Sequence, residues 1–178
     1  MIKKISLVIF LIIFLGFPKE VFAGLEANHS AKLANKENEK KVDFRASSLE
    51  KFLKQYRSPL AKYASVFVET ADKYQIDWRL VPAITGVESS FGKHIPFGSY
   101  NAYGWNNGNY YFSSWEESIE IVTKTLKEKY INRGLDTPQK IAPVYAPPSS
   151  TWGSKVNYFI KKIQGVYEKI EFANLNLN

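Results

Sequence analysis

One carboxylate in this chain occupies an unusual position. Glu88 lies in the stretch Leu80-Val81-Pro82-Ala83-Ile84-Thr85-Gly86-Val87-Glu88-Ser89-Ser90-Phe91-Gly92, whose pattern predicts a short helix closed by a glycine. With Val81 set at 0° and about 100° per residue, Val87, Leu80, Phe91, Ile84 and Glu88 fall near 240°, 260°, 280°, 300° and 340°. Glu88 therefore shares the apolar arc. Scarce water on such a face disfavours the charged form and raises the pKa of a carboxyl group. A carboxylic acid that keeps its proton near neutral pH can act as a general acid. Two other roles suit the same position: a rim residue that reaches solvent, or a partner for a buried Lys or Arg.

Composition narrows the remaining chemistry. The chain has 178 residues, 45% hydrophobic and 15% aromatic, which suits one domain with a substantial core. It has no cysteine, which excludes disulfides, thiolate metal sites and cysteine nucleophiles. Only His29 and His94 offer imidazole, so a histidine-rich metal site is not expected, and no cofactor is called for. There is no Gly-x-Ser-x-Gly elbow, phosphate loop, dinucleotide fingerprint or His-Glu-x-x-His.

The charge of +7 suits an acidic polymer as partner: nucleic acid, anionic lipid or a bacterial wall. The first residues narrow that choice. Lys3 and Lys4 precede an apolar run from Ile5 to Phe17, and Val21-Phe22-Ala23 resembles a small-x-Ala cleavage site. Residues 1–23 are predicted to be a secretory signal peptide. The 13-residue run is shorter than the roughly 20 residues that span a bilayer, so no stable membrane span is expected after cleavage; an uncleaved N-terminal anchor is the alternative. Cleavage would remove Lys3, Lys4, Lys19 and Glu20 and leave +5. Secretion to the bacterial cell envelope makes nucleic acid an unexpected partner.

The elements that position Glu88 follow in order. Residues 24–47, rich in Lys, Glu, Asn and Ala, are predicted to be a disordered linker, and ordered sequence is expected from Ser48. Leu49, Phe52, Leu53 and Tyr56 have helical spacing. Ser58-Pro59 predicts the N-cap and first residue of a second helix, with Leu60, Ala64, Phe67, Ala71 and Tyr74 buried. Asp77 is the expected N-cap of the Glu88 helix, and Pro82 predicts a kink or a shifted start. Asn107-Gly108, between Ala102-Tyr103-Gly104-Trp105 and Tyr110-Tyr111-Phe112, predicts a β-hairpin. Ser114-Trp115-Glu116-Glu117 is a capping box, which assigns both acids to capping and dipole compensation. Thr137-Pro138 starts a short helix. A last helix presents Val156, Phe159, Ile160, Ile163, Tyr167 and Ile170, and residues 173–178 are expected to fray. The fold class is mainly α, with one small β-hairpin lobe.

A protonatable Glu at a helix end beside an aromatic hairpin is a combination that glycan sites use. Aromatic faces stack on sugars, Asn side chains bond hydroxyl and acetamido groups, and a carboxylic acid protonates the glycosidic oxygen. The segment Ala71-x-x-Tyr74-x-Ile76-Asp77-x-x-Leu80-Val81-x-Ala83-Ile84-x-x-x-Glu88-Ser89-x-Phe91-Gly92 resembles the lysozyme-like superfamily of lytic transglycosylases, goose-type lysozymes and bacterial glucosaminidases. Downstream it is most similar to the bacterial glucosaminidase autolysins (mannosyl-glycoprotein endo-β-N-acetylglucosaminidase-like). Asn101-Ala102-Tyr103-Gly104 resembles their Asn-x-aromatic-Gly segment, and Phe112 to Ile119 their helix entry. Tyr145-Ala146, then Trp152 and Lys155-Val156, resembles their approach to the last helix. The likeness runs from about residue 60 to 165.

The resemblance implies a lysozyme-like domain over residues 48–172 that cleaves β-1,4 bonds at N-acetylglucosamine in peptidoglycan or a related glycan. It implies Glu88 as the acid and Tyr145 as a second catalytic residue that orients the acetamido group or stabilises charge. A core tyrosine that caps a helix end is the other role for Tyr145. The expected substrate-binding residues are Ser89, Phe91, Asn101, Tyr103, Gly104, Trp105 and Tyr111. One departure matters. Many family members carry a second carboxylate on the hairpin, and here that turn reads Asn106-Asn107-Gly108-Asn109. Assistance by the substrate's own acetamido group, or attack by a sugar hydroxyl to give an anhydro product, then replaces the second acid. A wall-binding module without catalysis is a third outcome. An extracellular interaction domain with no glycan partner is a fourth, and sugar quenching of Trp105 fluorescence would argue against it.

Overall fold

The computed structural model describes residues 42–176. The signal-peptide segment and most of the expected linker lie outside the described residues. Helix α1 (Arg45–Gln55) begins three residues earlier than the sequence suggested. The cause is local: Asp43 Oδ1 accepts from the Arg45 backbone N–H at 2.9 Å, and the Arg45 guanidinium bridges Asp43 and Asp72. That pairing ties the first turn to α2.

Ser58 accepts from the Leu60 N–H at 3.0 Å, as an N-cap should, but the turn that follows is a 3-10 helix, Pro59–Tyr63. It leads into α2 (Ala64–Tyr74). A left-handed Gln75 ends α2 and turns the chain into α3 (Leu80–Ser89). Asp77 Oδ1 accepts from the Arg79 N–H at 2.9 Å, and the helix proper starts at Leu80. This is the shifted start expected from Pro82, which now stands in the first turn, where no intrahelical donor is required.

Helix α3 stops at Ser89, before the predicted glycine. Ser90, Phe91 and Gly92 all have positive φ, at 51°, 63° and 77°. Left-handed backbone is unfavourable for Ser and Phe. Burial of the Phe91 ring offsets that: it packs on Phe52, Tyr56 and Phe159 at centroid distances of 5.5, 4.5 and 4.9 Å. The early stop places Glu88 one residue from the end of its helix.

Helix α4 (Trp115–Lys129) opens as expected. Ser114 Oγ accepts from the Glu117 N–H at 3.1 Å, and the Glu117 carboxylate accepts from the Ser113 N–H and hydroxyl at 2.6 and 2.7 Å. These bonds hold the Glu117 carboxyl below its ordinary pKa. A 3-10 turn, Ile131–Arg133, leads to α5 (Pro138–Tyr145), capped by Thr137. Helix α6 (Trp152–Leu175) outlasts the expected boundary, because Asn174 and Asn176 cap its last carbonyls from Ile170 and Phe172.

The core is mainly helical, with Phe91, Ala102, Tyr103 and Phe112 added from the loops. Helix α6 packs on α1, α3 and α5, while α2 packs on α1 and α4. Leu49, Leu53, Leu60, Ala83, Ile84, Ile119, Val122, Ile141, Val156 and Ile163 have no exposed surface. Gly86 permits the contact of α3 with α6. A methyl group there would stand 2.6 Å from the Phe91 ring and 2.9 Å from Phe159. Ala is the better helix former by about 1 kcal/mol, but overpacking against rings that cannot retreat costs about 1–3 kcal/mol. We expect Gly86→Ala to lower stability by about 2 kcal/mol, read as a lower urea midpoint with an unchanged slope.

The predicted β-hairpin is not formed, and no strand is present among the described residues. Trp105–Gly108 is a 3-10 turn with left-handed Asn106 and Asn107. The reason lies in Asn101, a buried residue. Its Nδ2 donates to the Trp105 and Tyr110 carbonyls at 2.9 and 3.0 Å, and its Oδ1 accepts from the Trp105 N–H at 3.0 Å. One side-chain amide thus supplies partners that a strand ladder would have supplied.

Candidate functional site

Glu88 is half-buried at the C-terminal end of α3, and its two carboxylate oxygens meet different neighbours. Oε1 accepts from the Trp152 indole N–H at 2.5 Å. Oε2 faces Gly104, where an added methyl would stand only 3.1 Å away. Gly104 has φ +67°, so a side chain there would meet both backbone strain and the carboxylate. Burial raises the Glu88 pKa, and the Trp152 N–H opposes part of that rise. The negative end of the α3 dipole acts in the same direction as burial. The proton is therefore held more tightly than on an exposed Glu.

Trp152 is the first residue of α6 and is buried. Its face stacks on Tyr145 at 4.8 Å and 29°. The Tyr145 hydroxyl donates to the Tyr103 carbonyl at 2.7 Å. Glu88, Trp152, Tyr145 and the 103–104 segment are thus joined in a closed chain of contacts across four parts of the sequence. Burial, and the nearby Glu88 charge, raise the Tyr145 pKa well above its ordinary value, so its phenol stays protonated and its O–H keeps donating to the Tyr103 carbonyl. Toward a ligand it offers only lone pairs. Tyr145→Phe is expected to lower stability by about 1 kcal/mol, seen in thermal melts, and activity by less than about tenfold.

The sequence-predicted residues divide into three groups. Glu88, Gly104 and Tyr145 come together, Gly104 against Glu88 Oε2 and Tyr145 behind Trp152. Ser89, Asn101, Phe91 and Tyr103 are buried and hold them in place. Ser89 Oγ accepts from the Gly92 N–H at 2.9 Å and lies 2.9 Å from the Ala102 carbonyl, tying the helix end to the loop. Phe91 is 1% exposed and Tyr103 is 1% exposed, so neither ring can stack on a ligand. Their places come from core packing, which the sequence pattern alone does not distinguish from a binding face. Trp105 and Tyr111 form the third group. Tyr111 is 60% exposed, and Trp105 is half-buried against Phe112.

Trp152 as the partner of Glu88 was not foreseen. Its signal in the sequence is an aromatic residue placed just after the Pro147-Pro148 break, at the start of a helix. Beside the pair, a pocket of about 380 Å³ is lined by Gly86, Val87, Thr151, Ser154, Lys155, Tyr158 and Phe159. No cluster of His, Cys, Asp or Glu suited to a metal ion occurs among the described residues, nor does a helix long and apolar enough to cross a membrane. No Asp or Glu occurs between Glu88 and Glu116.

No protein-family model matches the chain, and no curated protein matches it.

Proposed function

We propose that this protein is a secreted, lysozyme-like glycoside hydrolase of the bacterial glucosaminidase type, which cleaves β-1,4 bonds at N-acetylglucosamine in peptidoglycan. The observation that carries the reading is the Glu88 carboxyl group: half-buried, raised in pKa by burial, and fixed by an indole N–H near the end of its helix. Aromatic groups suited to sugar rings lie in the adjoining segment, at Trp105, Tyr110 and Tyr111. The signal-like first 23 residues and the basic charge fit a wall substrate.

In this reading Glu88 donates its proton to the glycosidic oxygen as the C1–O bond breaks. With no acid between Glu88 and Glu116, the substrate's acetamido oxygen attacks C1 and closes a five-membered ring. Glu88, now a carboxylate, takes a proton from the water that reopens that ring at C1. The Trp152 N–H stabilises the carboxylate in the interval. Tyr145 holds Trp152 in place from behind. Clearing of a cell-wall suspension tests the reading: wild-type protein should clear it, and Glu88→Gln should not. Clearing by the Gln variant would remove Glu88 from the mechanism.

A further inference from the structure

A second surface lies away from Glu88. A groove of about 630 Å³ runs between α1 and α6, lined by Lys51, Lys161, Lys162 and Lys169 with Tyr158 and Gly165. No Asp or Glu lines it. On α6, Lys155, Tyr158, Lys162, Gly165 and Lys169 recur at steps of three and four and so form one stripe along the helix. Gly165 leaves the groove floor open, since a methyl there would meet nothing within 4 Å. The acids of α6 bond elsewhere: Glu168 accepts from Gln164 and Glu171 from Tyr167. The ion pairs of the described residues use other cations, among them Lys54, Lys73, Lys124 and Lys140.

This clustering is not a consequence of overall charge. Residues 42–176 hold 17 Lys and Arg against 13 Asp and Glu, a surplus of four, and four lysines stand in this groove. Like charges held together without acids are mutually repulsive, and an anion that joins them relieves that repulsion. An elongated row of ammonium groups suits a repeating anion better than a single one. Tyr158 lines both this groove and the pocket beside Glu88. With a rise of about 1.5 Å per residue, Lys162 and Lys169 lie roughly 15 and 25 Å along α6 from Trp152.

We propose that the α1–α6 groove binds a linear phosphodiester polyanion of the cell wall, whose phosphates pair with Lys51, Lys161, Lys162 and Lys169. The choice of a wall polymer rests on the envelope location in the proposed function. The groove would then tether the enzyme to the wall with Glu88 within reach of neighbouring glycan. Loss of the tether need not touch the chemistry.

The test uses the full chain, poly(glycerol phosphate) as probe, and the Lys51→Glu, Lys162→Glu, Lys169→Glu triple variant. Wild-type and Glu88→Gln proteins should bind the probe equally, and more weakly as salt rises. The triple variant should bind at least about tenfold more weakly, with a shallower salt dependence. A Gln version of the same three positions, expected to bind more weakly than wild type, serves if the Glu version does not fold. Lys62→Glu, Lys129→Glu, Lys140→Glu, outside the groove, should bind nearly as wild type. Three results would overturn the proposal: no binding by wild type at low salt, equal loss in both triple variants, or groove-dependent binding to phosphatidylglycerol vesicles or duplex DNA that exceeds binding to the probe. Binding without wall cleavage would instead count against the proposed enzyme activity alone.

Discussion

Glu88→Gln is expected to lower the rate of wall cleavage by about 10³-fold or more while leaving the fold intact. Gln keeps the volume of Glu and an oxygen to accept from the Trp152 N–H, so the geometry around this side chain should persist. It cannot supply the proton. Stability should move the other way. The folded-state pKa of Glu88 is raised, so folding favours the protonated form. Stability from this group is fully present below the unfolded value of 4.5 and declines as pH rises from there through the raised folded pKa. Gln carries no charge to desolvate, so the variant should melt at the wild-type temperature or above it at neutral pH. The same shift shapes the wild-type pH profile: activity should fall as pH rises through the raised pKa of Glu88. A variant that loses activity and melts earlier would point to a structural role for Glu88.

Trp152→Phe is expected to reduce activity by about 10- to 100-fold, the worth of one hydrogen bond to a charged group. Phe can still stack on Tyr145 but donates nothing to Glu88. The indole N–H favours the carboxylate, so its removal should raise the Glu88 pKa further and shift the high-pH limb of the profile upward. Lost packing alone would reduce activity at every pH and leave that limb in place. The limb therefore separates a positioning role from a merely structural one.

The helical framework was largely legible from the chain. Apolar spacing, Ser58-Pro59, Thr137-Pro138 and the Ser114 capping box all act over one or two turns, and each marked an observed element. Boundaries failed where distant contacts decided them. Phe91 ends α3 early because Phe52, Tyr56 and Phe159 take up its ring. Asn107-Gly108 gave a local hairpin signal, yet Asn101 satisfied the backbone from within the loop. Glu88 could be picked out on a helical wheel because its own helix makes the apolar arc. Trp152 lies 64 residues away, and no local pattern reports that its N–H meets Oε1. Phe91 and Tyr103 show the converse: both are expected from the sequence to bind substrate, and both are interior residues.

Mass spectrometry of peptidoglycan digested with wild-type protein and with Glu88→Gln is the decisive measurement. Wild type should release muropeptides with N-acetylglucosamine at a new reducing end, and the variant should release none. The same products from both proteins, or none from either while both still bind the wall, would contradict a Glu88-dependent hydrolase. Anhydro products from wild type alone would keep Glu88 as the acid and replace the acetamido step with attack by a sugar hydroxyl.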